Sequence, residues 1–325
     1  MLLDFAFVIA GLALLLVAGD LLVRGAVGLA TALKAPSLLI GLTVVAFGTS
    51  APELFVSIDA VLTGRNGIAI GNIVGSNIAN VLLVLGLPAV LAAIPMSTPG
   101  MRRHASTMLV ATAMFCFAIY VRGTLDTPVG IVFIATITLY ILYIGYQATR
   151  GAAAAPSVME EVAELEESCP KTAWKTALFI IGGLVGLPLG GSILVSNGAA
   201  LATDLGVREE IVGLTIIAFG TSLPELATVW AAGMRREADV AVGNIIGSNI
   251  FNILFVGGAA GLVATTPFDD PWTRLVDVPV MILATLILAA LVYTKRPINR
   301  LFGVILTLGY IAYIALLSTN ASGAL

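Results

Sequence analysis

The sequence repeats itself at a distance of 172 residues. "LIGLTVVAFGTSAPELF" (39–55) lies over "IVGLTIIAFGTSLPELA" (211–227), with 11 of 17 positions identical. Without a gap, "GNIVGSNIAN" (71–80) then lies over "GNIIGSNIFN" (243–252), with 8 of 10 identical. A chain written this way folds as two related halves, 1–150 and 173–325, joined by a segment at 151–172.

Composition says where those halves live. Hydrophobic residues make up 59% of the chain, charged residues 11%, and the mean hydropathy is +1.05. A soluble domain carries about 25% charged residues. A membrane span needs about 20 apolar residues. Such runs lie near 3–30, 37–63, 67–92, 104–121 and 127–149, then near 173–203, 208–233, 239–264, 275–293 and 298–318. Backbone amides in lipid must be satisfied within the segment, and no period-two barrel pattern is present, so the runs are helices. The first run has Asp4 where a signal peptide would carry a basic residue. Each half holds five spans, and five is odd, so the second half enters the membrane upside down. The predicted fold class is an all-α polytopic membrane protein. About ten transmembrane helices form two inverted-topology five-helix repeats, with interrupted helices at mid-membrane. Inverted repeats of this kind place their sites at mid-membrane, on the interface between repeats.

Of the sixteen Lys and Arg, eleven flank one side, four flank the other, and Arg24 lies within the first span. The richer side is expected in the cytoplasm. Both termini are then outside, and the acidic 151–172 linker is cytoplasmic, in a multi-pass protein of the cell (inner or plasma) membrane. The linker pattern Val158, Met159, Val162 and Leu165 predicts a short amphipathic helix. Cys116, Cys169 and His104, the last expected in a cytoplasmic loop, have no metal-type spacing. No cofactor is expected.

The doubled motifs carry the chemistry. Pro52 lacks an amide hydrogen and so frees the carbonyl of Gly48, and Pro224 does the same to Gly220. Freed carbonyls near Ala46–Gly48 are tolerable only against a protein-lined cavity, where they bind cations. Thr49 and Glu53 share a helix face, with Ser50 beside them; Thr221, Ser222 and Glu225 repeat the set. In the next span Asn72, Ser76 and Asn80 form one polar stripe, repeated by Asn244, Ser248 and Asn252. Gly71 and Gly75 make a close-packing GxxxG. Carboxylates, hydroxyls, amide oxygens and carbonyls are all hard oxygen donors, which suit Ca²⁺ or Na⁺. A buried glutamate pair needs neutralising by one Ca²⁺, two Na⁺ or two H⁺. A site carrying −2 without a cation resists crossing the membrane, which favours obligatory exchange over leak.

Paired "GTSxPE" and "GNxxGSN" segments in two inverted five-span halves resemble the repeats of the Ca²⁺/cation antiporter superfamily, and most of all its prokaryotic sodium/calcium exchangers. The resemblance implies a secondary active antiporter exchanging Na⁺ for Ca²⁺ by alternating access, with Glu53 and Glu225 as central Ca²⁺ ligands. It implies flanking Na⁺ sites formed by Thr49, Ser50, Thr221 and Ser222 with the Ala46 and Ala218 carbonyls. Ser76, Asn80 and Ser248 complete them. Many relatives carry Asp where this chain has Asn252, so the site here has one acid fewer. The alternative is a proton-coupled Ca²⁺/H⁺ antiporter, but the "GNxxE" context typical of that branch is absent. A channel is disfavoured by the half-helices, and no nucleophile–base constellation supports an enzyme. The partners are the two ions and the lipid bilayer, with no nucleic acid. One chain holds both sides of the repeat interface, so a monomer suffices.

Asp20 and Arg24 read as an i,i+4 pair. Asp59 lies beyond Glu53 toward the outside, where it either attracts cations or is solvated. Asp204, Glu209, Glu210, Asp269 and Asp270 read as external loop charge.

Overall fold

The computed structural model describes residues 2–32, 50–96, 101–149, 163, 167–235 and 238–321. In the first half these form α1 (Leu2–Ala32), α2 (Ala51–Leu62), α3 (Asn66–Leu91), α4 (Met101–Arg122) and α5 (Thr127–Thr149). The second half forms α6 (Ala173–Leu205), α7 (Glu209–Thr221), α8 (Leu223–Arg235), α9 (Ala241–Val263), α10 (Thr273–Thr294) and α11 (Arg300–Ala321). Among the described residues, eight helices are long and apolar enough to cross a membrane, or nine if α7 and α8 count as one bent span. The run expected over 37–63 keeps only α2 within the described residues. The amphipathic helix expected in the linker lies largely outside them.

The interruption expected at the doubled proline is present. α7 and α8 meet at 43°. Ser222, at the corner, has φ −82° and ψ 7°, and Ser50, just before α2, has φ −90° and ψ 5°. Both sit in the sparsely populated region that turns a helix. Pro224 follows two residues later and supplies no amide to Gly220, so the ladder breaks there. The chain then resumes at once, with the Leu226 amide donating to the Ser222 carbonyl at 3.0 Å and the Leu54 amide to Ser50 at 3.1 Å.

Loop contacts show the inversion directly. One face of the molecule gathers Arg65 with Glu209, and Arg208 with Asp270. On the same face the strand Thr124–Leu125 pairs with Thr266–Pro267. The opposite face gathers Ile94, bridged to Ile298, and Arg102, which donates to the Tyr293 carbonyl at 2.8 Å. The α3–α4 connection therefore lies opposite its counterpart between α9 and α10. The α4–α5 connection likewise lies opposite the α10–α11 connection. Halves of the same sense would have put each pair on one face.

Two apolar cores hold the helices. One joins α3, α4 and α5 to α9, α10 and α11, through side chains such as Phe115, Ile119, Ile253 and Met281. The other joins α1 and α6, through Leu15, Ala18, Leu187 and Leu194, to parts of α2, α3, α7 and α9. These last four helices contribute to both cores, and the site described below is built largely on them.

One loop placement differs from the expectation. His104 lies in the first turns of α4, half-buried, with Nδ1 2.6 Å from the Tyr140 hydroxyl. Ser106 and Thr107 cap carbonyls of the same turns, so the helix starts earlier than the apolar run that announces it.

Candidate cation site

α3 approaches α7 without side chains between them. A Cβ on Gly71 would stand 2.6 Å from the Glu210 carbonyl oxygen, and one on Gly75 would stand 2.7 Å from the Ala218 Cβ. The GxxxG therefore packs helices, and it brings the Asn72–Ser76–Asn80 stripe of one repeat against the corner of the other.

A hydrogen-bond chain then crosses the repeats. Asn72 Nδ2 donates to the Glu53 backbone carbonyl at 3.1 Å and to Ser57 Oγ at 3.0 Å. Thr221 Oγ1 donates to Asn72 Oδ1 at 3.2 Å. The Asn72 side chain is thus fully used as a brace between α2, α3 and the α7–α8 corner. Ser248 Oγ donates to Glu225 Oε1 at 3.2 Å, and reaches Asn244 Oδ1 at 3.4 Å. Asn244 itself is half-buried.

Glu53 and Glu225 are 1% and 0% exposed. Among the described residues, Ser50 Oγ, both Glu53 oxygens, Ser76 Oγ, Asn80 Oδ1, Ser222 Oγ, Glu225 Oε2 and Asn252 Oδ1 are buried without a hydrogen-bond partner. Each such atom costs about 1–3 kcal/mol, and more if charged. Native interiors carry few of them; three of these eight oxygens belong to the two carboxylates and five to neighbouring hydroxyls and amides, a hard-oxygen set of the kind that suits cations. Of the eight oxygens, the carboxylate ones belong to Glu53 and Glu225.

Both stripes loosen at the same place. α3 passes through a π-helical turn over Asn80–Val84, and α9 through one over Asn252–Val256. The Leu85 amide reaches back five residues to the Asn80 carbonyl, at 3.1 Å. Such turns insert one residue into a helix and are frequent at functional sites.

Ala46 and Thr49, expected to contribute a carbonyl and a hydroxyl, lie outside the described residues. Ser50, Glu53, Ser76, Asn80, Ala218, Thr221, Ser222, Glu225, Ser248 and Asn252 are all buried. Two residues that the sequence reading passed over belong to the same network: Asn77, and Asn249, which accepts from Asn80 Nδ2 at 3.0 Å. Each follows a serine of the doubled "GSN", and that doubling was the available signal.

Away from the site, several charges are paired. The Arg24 Nε–Asp20 Oδ1 distance is 2.8 Å. The Arg122 guanidinium beside Asp126 holds that carboxyl below its ordinary value. Burial raises Asp270, but hydrogen bonds from Thr273 and Arg208 outweigh it and leave the carboxyl below its usual value. A cavity lined by Asn66, Glu210, Asp269, Asp270 and Thr273 lies at these loops rather than among the site oxygens.

Known proteins share both the motifs and the architecture. The family model described as "Sodium/calcium exchanger protein" matches residues 3–149 and 175–319. This chain belongs to the sodium/calcium exchanger family. The inner membrane protein YrbG of Escherichia coli is 38% identical to this exchanger-family chain, over 98% of the chain and 97% of YrbG. The putative antiporter CaxA of Alkalimonas amylolytica is 36% identical, over 98% of the chain and all of CaxA. The sodium/calcium exchanger MaX1 of Methanosarcina acetivorans is 29% identical over 97% of the chain and 98% of its own length. A solved structure of the sodium–calcium exchanger NCX_Mj superposes with a TM-score of 0.63 at 28% identity, covering 97% of this chain and 98% of that one. The family is one of transporters, so this exchanger relative is not an enzyme.

Proposed function

We propose that this chain is a secondary active antiporter that exchanges Na⁺ for Ca²⁺ by alternating access, with Glu53 and Glu225 as the central ligands. The observation that carries the reading is the set of eight buried, unpartnered oxygens, three of them on the carboxylates of Glu53 and Glu225, drawn from both repeats. Membership of a family of cation/Ca²⁺ antiporters agrees with it. Hard oxygen donors of mixed kind suit Ca²⁺ and Na⁺. One Ca²⁺ neutralises the pair, and so do two Na⁺. Without a cation, two negative charges in a low-dielectric interior cost several kcal/mol each. The unloaded carrier is therefore slow to reorient, and exchange is coupled.

In this reading Ser50, Thr221 and Ser222, with Thr49 and the Ala46 and Ala218 carbonyls, take Na⁺ on either side of the carboxylates. Ser76, Asn80, Ser248 and Asn252 close the shell from α3 and α9. Asn72 and Asn244 hold the shell from behind. The two halves, 1–150 and 173–325, work as the paired bodies, with 151–172 as a cytoplasmic join. The face carrying Ile94, Arg102 and Ile298 is the cytoplasmic one in the cell membrane, and both termini lie outside.

The test loads purified protein into Na⁺-filled liposomes and dilutes them into Na⁺-free buffer containing labelled Ca²⁺, with and without a pH gradient. Uptake driven by the Na⁺ gradient, and lost in Glu53→Gln and Glu225→Gln, is the expected result. Uptake that ignores Na⁺ and follows the pH gradient would overturn the Na⁺ coupling and make the chain a Ca²⁺/H⁺ antiporter.

A further inference from the structure

The orientation of a side-chain amide matters at a cation site, because its two ends have opposite polarity. Its oxygen coordinates a cation and its NH₂ repels one. Asn80 must therefore be held one way round, and the structure contains the device that holds it.

The chain of reasoning starts at a backbone atom. Asn249 Nδ2 lies 3.4 Å from the Asn77 carbonyl oxygen of the other repeat. A backbone carbonyl only accepts, so the NH₂ of Asn249 must be the end that faces it. Its oxygen then faces Asn80, 3.0 Å away. An oxygen there accepts only from a donor, so Asn80 must present its NH₂. That leaves Asn80 Oδ1, buried and without a partner among the described residues, as the end available to the site.

The second half contains the same parts in a different state of engagement. By the 172-residue shift, Asn77 corresponds to Asn249 and Asn252 to Asn80. Asn77 Nδ2 donates to the Ile73 carbonyl of its own helix at 2.7 Å, which fixes that amide too. Asn77 Oδ1, an acceptor, and Asn252 Nδ2, a donor, are both buried and unpartnered among the described residues.

We propose that Asn249 is a positioning residue that turns the Asn80 amide oxygen toward the transported cation, and that Asn77 is placed to do the same for Asn252. The proposal rests on the cation-site reading above. Asn249 reaches across the repeat interface to Asn80 and to the Asn77 carbonyl, so the orientation of a ligand in the first half is enforced by the second.

A double-mutant cycle tests it, read as Ca²⁺ affinity by titration of the purified full-length protein and as the KM of Ca²⁺ uptake into liposomes. Asn249→Leu removes the acceptor and frees Asn80 to turn. It should weaken Ca²⁺ binding about tenfold, the value of one well-placed polar contact, with maximal uptake less affected than KM. Asn80→Asp presents an oxygen whichever way it turns. In that background Asn249→Leu should change affinity by less than about twofold, or improve it by removing an oxygen facing the carboxylate. Equal penalties in both backgrounds would overturn the proposal and leave Asn249 a packing residue. If Asn249→Leu fails to fold, Asn249→Ala runs the same cycle. Glu53→Gln separates the two readings. Wild-type affinity unchanged by Glu53→Gln sinks the cation site and the positioning with it. Affinity lost in Glu53→Gln, with additive penalties at 249 and 80, sinks the positioning alone.

Discussion

Glu53 and Glu225 stand out in the sequence as carboxylates beside a proline in an apolar run, twice, and the structure buries both. Asn72 was legible only as polar. Its place in the stripe suggested a ligand, but a stripe records which face a residue is on, not whether its atoms are already used. In the structure both ends of the Asn72 amide are engaged. Asn72→Leu should therefore strand the Thr221 hydroxyl and the Ser57 hydroxyl together, and lower stability by about 2–4 kcal/mol. Asn244→Leu, at the symmetric position, loses one 3.4 Å contact from Ser248 and should cost less than about 1 kcal/mol. Val229 stands where the first half has Ser57, so the second brace has no counterpart for that bond. Thermal unfolding of the two variants in detergent compares them, and equal losses would contradict the bracing role. Asn77 and Asn249 escaped notice for a related reason. They lie off the stripe of Asn72, Ser76 and Asn80 and its repeat, and the partners of the Asn249 side chain belong to the opposite repeat, which a one-dimensional periodicity does not see.

At the level of the element, apolar runs located the spans, and the doubled prolines located the break. The π-helical turns at Asn80 and Asn252 were not legible, because nothing in "NVLLV" or "NILFV" differs from ordinary helix. Helix packing makes a sharper demand. Gly71→Ala would place a methyl 2.6 Å from the Glu210 carbonyl oxygen, a backbone atom that cannot swing away. α3 and α7 would have to part, at a cost of about 1–3 kcal/mol, and the yield of folded protein should fall. Gly309→Ala on α11 meets nothing within 4 Å and should gain up to about 1 kcal/mol from helix propensity. Expression and melting temperature of the pair decide it. The loop tying α7 to α10 makes a prediction in pH. Asp270 has a folded value below its unfolded one, despite burial, because Thr273 and Arg208 donate to it. Its contribution is therefore complete above the unfolded value of about 4 and is lost as pH falls through the lower, folded value. Asp270→Asn should flatten that acid limb of the melting-temperature profile, and a profile unchanged by the substitution would contradict it.

For the whole molecule, inversion followed from counting five spans per repeat, and the faces on which the connections meet bear it out. What counting does not disclose is how the eleven described helices pack. That packing comes from small residues whose partners lie far off in sequence. α1 and α6 meet almost backbone to backbone: a Cβ on Gly183 would stand 2.5 Å from the Leu22 Cβ, and one on Gly190 3.1 Å from the Gly11 carbonyl oxygen. Their shared core is separate from the one that joins α4, α5, α10 and α11. Gly191 of α6 also faces α2: a Cβ on it would stand 3.2 Å from the Phe55 carbonyl oxygen, less than one turn beyond Glu53. A smooth surface of this kind permits sliding, because no side chain has to leave a hole. The antiport reading proposed above then takes the α1–α6 pair as the body that moves past the carboxylates, which cross-links test. A cross-link within the α1–α6 pair should leave exchange intact, since the two helices travel together. A cross-link between α6 and α2 near Gly191 and Phe55 should arrest it, with Ca²⁺ affinity retained because the ligands are untouched. Both are made in a background without Cys116 and Cys169 and read as Na⁺-driven Ca²⁺ uptake before and after reduction. Exchange that survives the α6–α2 link would mean that alternation runs through the other core.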